Sequence, residues 1–190
     1  MECKKEQLAL AFVGRSNSGK TTLVEQIIAL LSSRNLAIGS VKHHGHHGIE
    51  IDKEGKDSWR HMRAGSIHTV ISSPDKLISI EIRKHEQKLE HILQNMESVD
   101  IVIVEGYRSA GIPYFELHRK DNPRDLDEFS IEYDAKRIAL VTDKKPLKEV
   151  AHLQGIAYFD LNDVHSISNK IEELYYEKKR GSINHEKTIS

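Results

Sequence analysis

The stretch FVGRSNSGKTTL, Phe12–Leu23, decides how the rest of the chain is read. Within it, Gly14 to Thr21 fit G-x-x-x-x-G-K-[ST], the P-loop pattern. Gly14 and Gly19 let the backbone wrap closely and reach angles that side chains resist. The loop N–H groups, from Gly14 through Asn17, Ser18 and Gly19 towards Thr22, are then expected to turn inward onto phosphate oxygens. Lys20 is expected to reach the β- and γ-phosphates and Thr21 to offer its hydroxyl to Mg²⁺. The helix that follows points its positive end at the same anion. A Gly/Ser-rich turn is the plain alternative. The context argues against it: the apolar run LALAFV precedes the loop, and Leu23, Val24, Ile27, Ile28, Leu30 and Leu31 recur at helical spacing after it.

Working outward, short apolar runs alternate with amphipathic segments. LAIGSVK, DIVIVEG, RIALVTD and IAYFDL read as further strands of the core. IHTVIS and KLISIEIR, with Pro74-Asp75 between them, read as a hairpin. Helices are expected at Ser58–Gly65, Glu86–Met96 and from about Asp163 to Lys178. PYFELHR alternates in polarity and reads as a more exposed strand suited to pairing at an edge. The sum is an α/β fold of the P-loop NTPase type: a mainly parallel twisted sheet flanked by helices, with a hairpin or extended-strand insertion. A single domain is expected over 1–178, followed by a polar tail, 179–190, expected to be disordered. Ligands of such sheets bind beyond the carboxyl ends of the strands. Gly14–Thr21, Lys42–His47, Glu105–Tyr107, Thr142–Asp143 and Asp160 should therefore share one edge.

Composition narrows the function. Lys plus Arg is 28 and Asp plus Glu is 29, a net charge of −1 that argues against a nucleic-acid-binding surface spread over the protein. The one cysteine, Cys3, permits no intrachain disulfide and suits a reducing compartment. No apolar run reaches the ~18–20 residues that span a bilayer. A cytoplasmic protein without membrane or nucleic-acid partners is expected.

A P-loop metal is usually supported by a carboxylate at the end of another core strand. DIVIVEG holds two, Asp100 and Glu105, roughly 16–17 Å apart along an extended strand, so only one can stand near the phosphates. Glu105, at the carboxyl end, is the candidate; Asp100 reads as a strand-start residue. Asp57 is a second candidate, with the alternative role of capping the helix it begins. Asp143 could accept from a guanine amino group or serve only as a turn residue. The cluster His43, His44, His46 and His47, next to Lys42, suits an anionic group such as a nucleotide phosphate. The rival readings are a zinc or nickel site, which would make this a metal-delivery GTPase, and a merely solvated polar loop; the anion reading is preferred because no thiolate or carboxylate pair completes a metal site. A small-molecule kinase is a further alternative.

Four segments together resemble the molybdopterin-guanine dinucleotide biosynthesis protein B family: GRSNSGKTTL, VKHHGHH, DKEGKDSWRHMRAGS and DIVIVEGYRSAGIPYFELHR. The resemblance implies a small, dimeric P-loop GTP-binding protein with GTP and Mg²⁺ as cofactors. It implies an accessory role beside the nucleotidyltransferase that joins molybdopterin to GMP. Lys20 and Thr21 then carry the nucleotide and magnesium roles, with Asp57 and Glu105 in the family's acidic segments and Lys20 and Glu105 as the catalytic pair. A weak GTPase is implied, in keeping with the lack of an obvious water-orienting Gln or arginine finger.

Overall fold

The computed structural model describes residues 7–45, 48–49, 52–96, 98–122 and 134–189. Two compact units divide the chain: residues 1–43 with 89–190, and residues 44–88.

The larger unit is built on six strands: β1 (Leu8–Gly14), β2 (Ile38–Lys42), β5 (Ile101–Glu105), β6 (Tyr114–His118), β7 (Arg137–Thr142) and β8 (Tyr158–Phe159). They lie in the order β2-β5-β1-β6-β7-β8, and every pairing is parallel. All six carboxyl ends therefore lie along one edge. Alternation along a strand sends neighbouring residues to opposite faces. Leu8, Leu10 and Phe12 of β1 pack with Leu23, Ile27 and Leu31 of α1 (Lys20–Ser33) and with Ile167, Ile171 and Tyr175 of α5 (Val164–Ile189). Ala11 and Val13 face the other way, onto Leu89 and Leu93 of α3 (Leu89–Gln94). The sheet is thus covered on both faces, which is why its strands read as continuous apolar runs. Stacked rings of Phe12 and Phe115, 5.1 Å apart and in register across β1 and β6, mark the centre of the core.

Three elements differ from the sequence expectation. β6 is no edge strand: it lies between β1 and β7, and Tyr114, Phe115, Glu116 and Leu117 are buried. Its alternation misled because Glu116 is buried as an ion pair. Arg137 Nε donates to Glu116 Oε2 at 2.8 Å, and Arg108 donates to Oε1. Second, α4 (Lys145–Leu153) occupies a segment to which the sequence reading assigned no element. Pro146 in its first turn and buried Leu147 and Ala151, one helical turn apart, are its signature. Third, β8 keeps only two residues at the sheet edge, and α5 continues past Lys178 to Ile189. That polar extension contains no proline and continues a helix already anchored by its buried face.

Buried Asp100 joins distant parts of this unit. Its Oδ2 accepts from the Ala37 N–H at 2.9 Å, and its Oδ1 accepts from the Tyr175 hydroxyl at 2.7 Å. Burial and this hydrogen bond push the Tyr175 hydroxyl up to about 12.

The smaller unit holds α2 (Asp57–Arg63) and the expected antiparallel hairpin of β3 (His68–Ser72) and β4 (Leu77–Glu81). Ser73 closes the turn, its hydroxyl donating to Asp75 at 2.8 Å and accepting from the Lys76 N–H at 3.0 Å. Ile67, Val70, Leu77, Ile78 and Ile82 are exposed on it.

Candidate functional site

The loop joining β1 to α1 turns because two residues take up left-handed backbone. Asn17 has φ 65° and Gly19 φ 85°. Asn tolerates that region better than most residues, and Gly carries no penalty there. Gly14 is required for a different reason. A Cβ built on it would stand 2.7 Å from the Leu117 carbonyl oxygen and 2.9 Å from Ser18 Oγ, so the loop can enter only without a side chain. Ser18 is fully buried beneath the loop. Asn122, buried just beyond β6, donates from Nδ2 to the Ser16 carbonyl at 3.0 Å and braces the loop from outside.

Lys20 folds back over the loop. Its ammonium donates to the carbonyls of Gly14 at 3.0 Å and Arg15 at 2.7 Å, with Ser18 Oγ at 3.4 Å. A flexible ammonium held on loop carbonyls is placed to move onto an anion in the same loop. Thr22 follows on α1 and is exposed.

The parallel register of β2, β5 and β1 sets Lys42, Glu105 and Phe12 side by side. Thr21 Oγ1 donates to Glu105 Oε1 at 2.8 Å, and Lys42 Nζ lies 3.6 Å from Glu105 Oε2. A hydroxyl and a carboxylate in contact are two hard oxygen donors of the kind magnesium takes, so these residues fit that ion. Of the two acidic candidates, Glu105 is the one in contact with Thr21. Asp100, at the other end of β5, serves the core contacts described above. Beyond the strands, the His43 N–H donates to the Glu105 carbonyl at 2.9 Å. The His43 ring packs on Tyr107 with centroids 4.4 Å apart. Gly106 makes this contact possible, since a Cβ there would approach His43 Cβ to 3.0 Å.

The other predicted residues fall in several places. Asp143 accepts from the Lys120 N–H at 2.7 Å and so ties the ends of β7 and β6 together. Asp160, at the end of β8, pairs with Lys148 at 2.6 Å, and that hydrogen bond holds its carboxyl below the usual range. Asp57 belongs to the smaller unit, where it is the first residue of α2, makes no capping bond and lies 3.6 Å from Arg60. The alternative capping role is therefore not seen: Lys56, not Asp57, occupies the N-cap position, with no side-chain bond, and the exposed Asp57 carboxylate already has a cation one turn ahead. His44 is exposed, while His46 and His47 lie outside the described residues. Among the described residues no three His, Cys, Asp or Glu side chains group to hold a metal.

Sequence reasoning missed the end of β6. Reading PYFELHR as an edge strand removed His118 to Asn122 from the set of strand ends, although a parallel β6 must finish at the same edge. Tyr107 is among the expected strand-end residues, but its left-handed backbone, φ 55°, has no signal in the sequence.

A family model described as molybdopterin guanine dinucleotide synthesis protein B matches residues 9–143. The chain belongs to that family. Among curated relatives, the molybdopterin-guanine dinucleotide biosynthesis adapter protein of Haemophilus influenzae is 36% identical over 121 residues, covering 63% of this chain and 67% of that one. The Escherichia coli protein of the same name is 29% identical over 176 residues, 90% of this chain and 95% of the other. Among solved structures, Bacillus subtilis MobB superposes with a TM-score of 0.68 at 27% identity over 87% of this chain and 96% of its own. Membership of the molybdopterin guanine dinucleotide synthesis protein B family agrees with the fold described: a parallel P-loop NTPase-type sheet whose matched segment runs from β1 to the end of β7. No described helix is long and apolar enough to cross a membrane.

Proposed function

We propose that this chain is a GTP-binding adapter for the synthesis of molybdopterin guanine dinucleotide, working beside a nucleotidyltransferase in the cytoplasm. One observation carries the reading: the Thr21–Glu105 contact of 2.8 Å, with Lys20 held on the loop carbonyls of the adjoining turn. Loop N–H groups and the start of α1 receive the phosphates, and Lys20 exchanges its carbonyl contacts for phosphate oxygens. Thr21 and Glu105 would hold Mg²⁺, which neutralises phosphate charge when bound. Glu105 is already engaged by Thr21 and Lys42, so it orients ligands rather than acting as a free base. That supports a slow GTPase in which nucleotide state matters more than turnover. Asp143, at the end of β7, is the candidate for the guanine amino group, at the expense of its contact with Lys120.

The dimer belongs to the same reading, but its support moves from β6 to the hairpin. Val70 and Leu77 expose apolar surface on one face of the hairpin, and a second copy would cover it.

Titration calorimetry of Lys20→Ala with GTP and Mg²⁺ tests the nucleotide reading. One charge-assisted contact is worth roughly 1.5–3 kcal/mol, so affinity should fall about tenfold to a hundredfold while the protein stays folded. Unchanged affinity in the folded variant would refute it.

A further inference from the structure

On the sheet face opposite α1, a cavity of about 410 Å³ opens between the P-loop, the loop after β5 and the end of β6. None of the roles above uses it. Its size suits a small ligand. Its floor is Val13 and Glu116, which pair in register across β1 and β6. Its rim carries Arg15, Arg108, His118 and Tyr107.

The charges in this cavity do not balance. A single buried carboxylate, Glu116, is 9% exposed. It needs one counter-charge, and Arg137, equally buried, provides it through Nε at 2.8 Å. Arg108 also reaches Glu116, yet its side chain is 65% exposed. His118 Nε2 lies 3.6 Å from the same carboxylate oxygen. Arg15 adds a further guanidinium. Arg15 and Arg108 thus line the cavity together with one carboxylate, Glu116, which Arg137 also neutralises, so positive charge is in excess there even with Arg108 bonded to Glu116. Guanidinium groups in such pairs bind phosphate in a bidentate fashion. The loop that delivers Arg108 is held in shape. Tyr107 and Gly111, at its two ends, both adopt left-handed backbone, with φ 55° and 73°. Strain of this kind in a bulky residue is maintained where the surroundings dictate it. It sets the Tyr107 ring at the rim beside Arg108.

We infer that this cavity is a second anion site, beside the phosphate-binding turn of the P-loop and sharing Arg15 with it, that takes a phosphate monoester: Arg108 and Arg15 hold the phosphate, His118 assists, and the Tyr107 ring packs on the group that carries it. Because Gly14 and Arg15 belong to both the cavity and the P-loop, the monoester would sit next to the nucleotide's phosphates. That adjacency rests on the nucleotide reading; the site itself does not.

The test is calorimetric titration of the full chain with phenyl phosphate and with inorganic phosphate. It is run on wild type, Lys20→Ala, Arg108→Gln and His118→Gln, with GTP affinity measured separately for each. Phenyl phosphate should bind wild type and Lys20→Ala alike, more tightly than inorganic phosphate. It should bind Arg108→Gln roughly tenfold more weakly or worse, the worth of one charge-assisted contact. His118→Gln should fall between, and it serves if Arg108→Gln does not fold. Binding that is lost with Lys20 and indifferent to Arg108 and His118 would mean the P-loop is the only phosphate site. Wild type that does not bind phenyl phosphate would also overturn the inference. A failure of GTP binding alone would refute the nucleotide reading and leave the Arg108 dependence as the measure of this one.

Discussion

Asp100 and Glu105 are carboxylates on one strand, and replacing each by its amide should give opposite phenotypes. Asp100 is 9% exposed, and its two oxygens accept from Ala37 N–H at 2.9 Å and from the Tyr175 hydroxyl at 2.7 Å. The first contact fixes the entry to β2; the second holds α5, itself buried at Tyr175. In Asp100→Asn one oxygen remains, and the amide nitrogen faces a group that has a proton of its own to donate. The hydroxyl can rotate to accept, whereas the Ala37 N–H cannot. One charge-assisted contact becomes a neutral one and the other is lost or reversed, so a cost of about 2–4 kcal/mol is expected. For a chain of this size, that lowers the melting temperature by roughly 5–15 °C. The assay is thermal unfolding by circular dichroism, with GTP titration at a temperature where the variant is still folded. Asp100→Asn should melt early and bind GTP normally. A melting temperature within a degree or two of wild type would refute the energetic argument. A large loss of GTP affinity in the folded variant would refute the placement of the site at the opposite end of β5.

Thr21→Ala and Glu105→Gln should each weaken Mg²⁺-dependent GTP binding or hydrolysis with little change in melting, measured by titration with and without the metal. Gly14→Ala should impair both folding and nucleotide binding, since its Cβ would meet a backbone oxygen at 2.7 Å; overpacking of this kind costs about 1–3 kcal/mol, readable in urea unfolding. Alkaline pH should loosen α5. The Tyr175 hydroxyl is raised to about 12 in the folded chain, above its ordinary value of 10.0, so its contribution is complete below pH ~10 and lost as pH rises towards 12. Tyr175→Phe should lose that part of the alkaline slope in chemical denaturation series. Light scattering should give twice 21.7 kDa for wild type, and Val70→Asp with Leu77→Asp, both on one face of the hairpin, should return the monomer mass.

What the sequence determined by itself was local. The P-loop spacing, the apolar run before it and the periodicity after it concern contiguous residues, and each can be read where it stands. The parallel sheet followed from strands alternating with helices, and Glu105 was preferred over Asp100 by strand direction alone. Tertiary structure decided whatever depended on partners distant in the chain. Glu116 looks like a solvent-facing residue of an edge strand until Arg108 and Arg137 are brought to it, and only then can β6 occupy the middle of the sheet. Asp100 looks like a plain strand-start residue until Tyr175, far along the chain, supplies its hydroxyl. Asn122 carries no motif, and it matters because the parallel β6 delivers it to the P-loop. Burying a charge is unfavourable without a counter-charge, and hydrophobic periodicity holds no record of where that counter-charge comes from.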